Sequence, residues 1–210
     1  MVTAVDSTQS RYSSEAVTFR IDWPAKNLHA IEPTLAEVGT YAPALASAWN
    51  DPHNSKLMGH GEGFDAEDVV DHYATIRAEG GRAFFLFEGG LLVGDADFRN
   101  VTPTAAEFAF MVASPSAQGK GLGTRFAIML HRFAFTELHL ERSYASIDLI
   151  NTGSRRVFEK LGFEVDARAE ARAFADEPQD IVMSISRATF EQQHASVFAE
   201  LALARRQNEP

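Results

Sequence analysis

The sequence predicts an α/β fold in which a mixed sheet carries helices on both faces. Short runs of strand length, apolar or alternating, recur along the chain, and between them lie segments whose apolar residues repeat at helical spacing. A glycine-rich run, Gln118-Gly-Lys-Gly-Leu-Gly-Thr124, joins one such strand to one such helix, which is the order of a phosphate-cradling loop.

The elements follow in chain order. Residues 1–14 are Ser/Thr/Gln-rich and predict a disordered extension, leaving residues 15–210 as a single domain. Val17 to Ile21 alternates as a strand does. Thr34-Leu-Ala-Glu37 is a capping-box pattern, and Leu35, Val38, Ala42, Leu45 and Trp49 follow at helical spacing, with Pro43 expected to kink or split that helix. A polar loop is expected from Asn50 to Gly63. Asp65 then caps a second helix, carrying Val69, Tyr73 and Ile76 and stopping at Gly80-Gly81. Ala83–Phe87 and Leu91–Phe98 flank Glu88-Gly89-Gly90 as a hairpin, and Ala105–Ala113 is the next strand. After the glycine loop, Phe126, Met129, Leu130 and Phe133 form the apolar face of a helix. Ser143–Ile150 reads as a strand, Thr152–Leu161 as a helix ended by Gly162, and Ile181–Ile185 as a late strand. The tail from Thr189 to Ala204 puts Phe190, Val197, Phe198 and Leu201 on one side of a C-terminal helix. No internal repeat is visible.

Composition narrows the function. The chain has 210 residues, 45% of them hydrophobic, enough for one domain with a proper core. It contains no cysteine, which removes disulfides, thiolate metal sites and a cysteine nucleophile, and which suits a reducing compartment. No apolar run nears the roughly 20 residues of a membrane span, and the polar N-terminus lacks the pattern of a signal peptide, so a soluble cytoplasmic protein is expected. A formal charge of −10 with scattered Lys and Arg repels phosphate backbones and argues against nucleic acid as the partner. The same charge either attracts a cationic amine or simply maintains solubility. The seven histidines form no metal-ligand pattern, and there is no G-x-S-x-G nucleophile elbow. His53 and His60, in the polar loop, read as solvated loop histidines in preference to catalytic ones, and Asp148, on the Ser143–Ile150 strand, as a surface acid in preference to one that meets a cationic amine.

Gly119, Gly121 and Gly123 alternate, which fits neither a Walker A loop nor a G-x-G-x-x-G dinucleotide fingerprint. The pattern is Q-x-x-G-x-G, from Gln118, with Pro115 upstream. Some thirty residues on comes Asn151-Thr-Gly-Ser154-Arg-Arg-Val-Phe158-Glu-Lys-Leu161-Gly162-Phe163. Together these resemble the GCN5-related N-acetyltransferase (GNAT) superfamily. Trp49-Asn50-Asp51-Pro52 and the run ending in Leu-Gly-Phe are most similar to its ribosomal-protein N-terminal acetyltransferase (RimJ/RimL-like) branch. The resemblance is close from about Ala105 to Phe163 and loose elsewhere. It implies the GNAT-like acyl-CoA N-acyltransferase fold, with a mixed, mostly antiparallel sheet.

The resemblance also implies roles. Acetyl-CoA would lay its pyrophosphate on Gln118, Gly119, Lys120, Gly121, Leu122, Gly123 and Thr124, mostly through backbone N–H groups, with no metal. Its pantetheine arm would run beside Met111, Val112 and Ala113, the peptide groups of Met111 and Ala113 pairing with it, and beside Asn151, which is also placed as an ordinary helix N-cap. Glu107 would draw a proton from the attacking amine, or is an exposed strand glutamate. Ser154 would give a proton to the leaving thiolate, or is a first-turn helix residue. Many members use a tyrosine where this chain has Phe158, and a phenyl ring donates no proton. The reading is therefore an acetyl-CoA-dependent N-acetyltransferase acting on a primary amine, either a protein N-terminus or a small molecule such as a polyamine, an amino acid derivative or an amine antibiotic. The alternative is a non-catalytic acyl-CoA-binding or regulatory domain, which Phe158 keeps open. The polar loop that carries His53 and His60 would line the acceptor pocket. The segment 168–180 either covers the acceptor site or makes a homodimer contact.

Overall fold

A computed structural model describes residues 17–58 and 63–206. The expected disorder of residues 1–14 and the reading of His60 lie outside the described residues. The elements are β1 (Thr18–Trp23), β2 (Leu28–Ile31), α1 (Leu35–Trp49), α2 (Pro52–Met58), α3 (Ala66–Ala78), β3 (Arg82–Glu88), β4 (Leu91–Arg99), β5 (Ala105–Val112), α4 (Leu122–Thr136), β6 (Arg142–Ile147), α5 (Thr152–Lys160), β7 (Glu164–Val165), β8 (Ile181–Ser186), α6 (Arg187–Phe198) and β9 (Ala202–Arg206). The strands form one sheet of nine in the order β7-β8-β6-β5-β4-β3-β2-β1-β9. Its neighbours run antiparallel except β5 and β6, which are parallel and joined through α4.

Strand alternation divides the core into two layers. Phe84, Leu86, Ala96, Phe98, Ala106, Phe108 and Val112 face α4, α5 and α6. Ile31, Phe85, Phe87 and Met111 face α1 and α3, meeting Val38, Leu45, Trp49, Val69 and Tyr73. A smaller cluster of Ala105, Tyr144, Ala171, Phe174 and Val182 extends that second face beneath a 3-10 turn, Ala171–Phe174.

Local chemistry sets the boundaries. Thr34 and Glu37 close the capping box of α1 reciprocally, at 3.2 and 2.8 Å, and Asp65 with Asp68 does the same for α3. Gly89 and Gly90, at φ 59° and 82°, make the tight turn that matches hairpin twist.

Four expectations change. Pro43 does not split α1, which runs unbroken to Trp49 because Val38 and Ala42 before the proline and Leu45 and Trp49 after it are all buried. The 50–63 segment, expected to be loop, contains α2. Leu28–Ile31 is a strand that the four-residue run Leu-His-Ala-Ile did not announce. The C-terminal helix ends at Phe198, and Ala202–Arg206 returns as β9 against β1, where Arg206 bonds the Glu37 carboxylate and the Glu32 carbonyl. Among the described residues no helix is long and apolar enough to cross a membrane.

Candidate active site

The site begins where two strands part. β5 and β6 pair only at Ala105↔Arg142, Ala106↔Ser143 and Glu107↔Tyr144, although β5 continues to Val112 and β6 to Ile147. Beyond Glu107 the sheet opens between them. β5 still pairs with β4 through Val112↔Gly94, and the Ala113 N–H donates to the Val93 carbonyl at 2.8 Å. In an antiparallel ladder that bond fixes the polarity of the strand: Ala113 and Met111 turn their peptide groups to β4, whereas Val112 and Phe110 turn theirs to the parting. Consistent with this, the Val112 carbonyl accepts from Gln118 Nε2 at 3.0 Å. The Ala113 N–H, expected from the resemblance to pair with the pantetheine arm, is directed into the sheet, and the Val112 carbonyl is directed toward the parting.

The glycine loop follows from the next residues. Gly119 and Gly121 have φ 73° and 80°, where an L side chain is strained, and a Cβ on either would meet nothing within 4 Å. Both positions therefore leave open space above the backbone. Gly123 is needed for a different reason, since a Cβ there would lie 2.6 Å from the Phe110 ring. Gly121 is the N-cap of α4 and offers no side-chain cap, and the first backbone bond runs from Arg125 N–H to the Gly121 carbonyl. The preceding amides at this end of a 15-residue helix have no partner within the helix, and the dipole there favours an anion. Lys120 is exposed beside them.

Across the parting, Asn151 caps α5 by accepting from the Ser154 N–H at 3.0 Å, as expected of an N-cap, and Ser154 sits half-buried in the first turn. Phe158, 2% exposed, packs against Phe108, Phe110 and Phe163 with centroids 6.2, 5.8 and 4.9 Å away, so its ring belongs to the core.

α2 ties the two sides together. Buried Asn54 donates to the Ala48 and Ala113 carbonyls at 2.9 and 2.8 Å and accepts from Gln118 Nε2 at 2.9 Å. His53 Nε2 lies 3.1 Å from Gln118 Oε1, and the Leu57 carbonyl accepts from Asn151 Nδ2 at 3.0 Å. Gln118 is held in place chiefly by α2.

On the α1–α3 face, β4 and β5 carry a row of acids. Glu107 is fully buried, not an exposed strand residue. Its Oε1 accepts from Arg99 Nε and Nη2 at 3.1 and 2.9 Å, and its Oε2 from Asn100 Nδ2 at 2.8 Å. Arg99 also bonds Asp176 at 2.9 Å, which brings the 168–180 segment over this row. Asp97 is next along β4, then Asp95, whose carboxylate accepts from the Tyr73 hydroxyl at 3.1 Å. Burial pushes the Asp97 carboxyl up to about 7 despite Arg99, and Asp95 to about 6 despite Tyr73. Glu107 is also raised by burial, with Arg99 opposing. Asp95, Asp97, Arg99 and Asn54 have no site role in the sequence reading, and Trp49 enters it only as an apolar helix position and as part of the branch resemblance. The signal for the acids was present: Asp95-Ala96-Asp97 puts two carboxylates on one side of a strand otherwise fit for a core.

Residues 34–164 match the family model described as an acetyltransferase (GNAT) domain. Spermidine N(1)-acetyltransferase of Escherichia coli K12 is 41% identical over 61 residues, 29% of this chain and 32% of the relative. Alpha/beta-tubulin-N-acetyltransferase 9 of Homo sapiens is also 41% identical over 61 residues, 29% of this chain and 30% of the relative. The matched stretch thus spans about a third of these curated relatives. Among solved structures, aminoglycoside acetyltransferase AAC(6')-Ib in complex with coenzyme A superposes at a TM-score of 0.66 with 19% identity, covering 80% of this chain and 99% of that one. RimJ of Mycobacterium smegmatis in complex with CoA-disulfide gives 0.64 with 18% identity, covering 88% and 95%. These two likenesses establish a shared fold.

Proposed function

The chain belongs to the acetyltransferase (GNAT) domain family, and from that membership we propose that it moves the acetyl group of acetyl-CoA directly to a primary amine. The observation that carries this reading is the coincidence, at one opening in the sheet, of unpaired helix N-terminal amides, two left-handed glycines with free space above them, and a strand edge turned toward the gap.

In this reading the amides from Gly119 to Thr124 hold the pyrophosphate, with Gln118 and Lys120 beside it, and the Val112 and Phe110 peptide groups meet the pantetheine amides. When bound, acetyl-CoA supplies an acetyl group already activated as a thioester. Asn151 borders the same gap. Ser154 is the hydroxyl that replaces the proton-donating tyrosine, since Phe158 is spent on packing. Removal of a proton from the acceptor ammonium, whose ordinary pKa is near ~10, falls to the carboxylates of β4 and β5.

The acceptor is a cationic amine drawn to the acidic row. The relatives' names include a polyamine, an aminoglycoside and a protein, tubulin, and the buried acids favour the small polycation. The cysteine-free chain suits the cytoplasm.

Calorimetric titration with acetyl-CoA, using ATP and NAD as controls, tests the cosubstrate. Selective binding in the micromolar range is expected, about −8 kcal/mol. Equal binding of ATP or NAD, or no binding of acetyl-CoA, would contradict it.

A further inference from the structure

We propose that Asp97, and not Glu107, receives the proton from the acceptor ammonium. The inference rests on the acetyl transfer proposed above.

The parting of the strands separates the two carboxylates. Glu107 belongs to the last β5 residue pair that β6 still covers, opposite Tyr144, which is itself stacked on Phe174 at 4.1 Å. The next β5 residue on that face, Ala109, is the first beyond the closed part, and it is partly exposed. Asp97 is the direct cross-strand partner of Ala109. Paired residues in an antiparallel ladder hold their Cβ atoms roughly 5 Å apart on the same face. Ala109 thus puts only a methyl group between the Asp97 position on β4 and the edge where β5 parts from β6.

Hydrogen bonding separates them again. Both oxygens of Glu107 are engaged by Arg99 and Asn100, and its side chain is 1% exposed. Asp97 Oδ1 is closed to water and makes no hydrogen bond. The neighbouring guanidinium comes no nearer than 3.9 Å to it and gives its hydrogen bonds to Glu107 and Asp176. The Asp97 side chain nevertheless remains 14% exposed. Next to it, the buried Trp49 indole N–H faces Asp95 without closing a hydrogen bond. A buried carboxylate oxygen with no donor, within a row of four carboxylates (Asp95, Asp97, Glu107, Asp176) around the cation Arg99, fits a site completed by a cationic ligand. Among the described residues the titratable and charged groups around Asp97 are Asp95 and Arg99 from its own strand, Glu107 from β5, Tyr73 from α3 and Asp176 from the segment after the 3-10 turn. The Asp97 carboxyl titrates at about 7, close to neutral operation for a base.

In the step itself one ammonium proton passes to the Asp97 carboxylate, and the freed nitrogen lone pair forms the C–N bond. The C–S bond breaks, the Ser154 hydroxyl gives its proton to the leaving thiolate, and the second nitrogen proton passes to the Ser154 oxygen in its place. Asp97 returns its proton to water.

The test is the pH profile of kcat/KM for acetyl transfer to a diamine by the wild-type protein, Asp97→Asn, Asp97→Glu and Glu107→Gln. The wild-type rate is expected to rise through near-neutral pH. Asp97→Asn should lose about a hundredfold or more in kcat and lose that rising limb, with acetyl-CoA affinity by calorimetry unchanged. Asp97→Glu should restore part of the rate and move the limb. Glu107→Gln should keep the limb whatever it loses in rate. Retention of the limb by Asp97→Asn, or its loss in Glu107→Gln, would overturn the assignment to Asp97 alone. If Asp97→Asn does not fold, the Glu107→Gln and Asp97→Glu profiles decide. No transfer by the wild-type protein would overturn the proposed function and this assignment together.

Discussion

Three alternating glycines serve two separate needs, and substitutions divide along those lines. Gly121 has open space and a left-handed φ of 80°. Gly121→Val should therefore cost the fold only about 1–2 kcal/mol of backbone strain, while its side chain fills the space meant for a phosphate. Acetyl-CoA affinity should fall at least tenfold, about 1.4 kcal/mol, by calorimetry. Unchanged affinity in a folded variant would remove the loop from the site. Gly123→Ala acts on the core instead, by pressing a methyl group onto Phe110, and its effect should appear first in thermal stability. Ser154→Ala leaves the Asn151 cap intact, since the cap bond uses the Ser154 backbone N–H. It should lower kcat while leaving acetyl-CoA affinity within a few fold, and equal losses in both would assign Ser154 a structural role. At this scale the sequence disclosed the glycines and the Asn151 cap, because each is dictated by backbone geometry or local capping, whereas Gln118 entered through the resemblance and is held by α2. It did not disclose that Glu107 is locked by Arg99 and Asn100, eight and seven residues before it. That pairing depends on strand register.

Among elements, α2 is the one that sequence periodicity could not predict and the site most depends on. Its seven residues bury Asn54 and Ser55, polar side chains that give no amphipathic signal. Its position is set by hydrogen bonds to Ala113, Gln118 and Asn151, residues 59 to 94 positions away from their α2 partners. Asn54→Ala removes the donor to two carbonyls and the acceptor of Gln118. It should lower unfolding stability by about 1–3 kcal/mol in a denaturant titration, and acetyl-CoA affinity should drop as Gln118 loosens. A stability change below about 0.5 kcal/mol would show that α2 is held by other contacts. β9 was misread for a related reason. Ala-Leu-Ala-Arg-Arg favours a helix intrinsically, but pairing with β1 and the Arg206 bond to Glu37 override that preference. α3, with a cap and an apolar face, was legible from end to end, α1 was legible apart from the break expected at Pro43, and α4 was legible from its apolar face alone.

The molecule as a whole carries a charge of −10 and concentrates part of it in one buried row. Asp97 and Asp95 are pushed up to about 7 and about 6, from an ordinary 3.8, so the folded protein holds those protons more tightly than the unfolded chain. The stability they contribute is complete below 3.8 and is lost as pH rises through 6 and 7. His131, buried and pushed down to about 3, acts in the opposite direction and loses stability as pH falls below its ordinary 6.5. Asp97→Asn keeps the shape without the charge and leaves His131 untouched. It should melt above the wild-type protein by about 3 °C or more near pH 8, and the gap should close toward about pH 4. A gap independent of pH would place the carboxylate's cost elsewhere. Most of the order of strands and helices was legible in the sequence, β2, α2, β7 and β9 excepted, and so was the glycine loop before α4. The acceptor side was not, because it is assembled from β4, β5, α1, α3 and the 168–180 segment only once the sheet has formed. The most direct test of the account is amine-dependent release of CoA thiol from acetyl-CoA by the purified protein, across a panel of diamines, polyamines, aminoglycosides and peptides with free N-termini. The account predicts saturable thiol release with at least one polycationic amine, matched one to one by acetylated product. Acetyl-CoA binding with no amine-dependent release across the panel would contradict it and leave a protein that binds the thioester without using it.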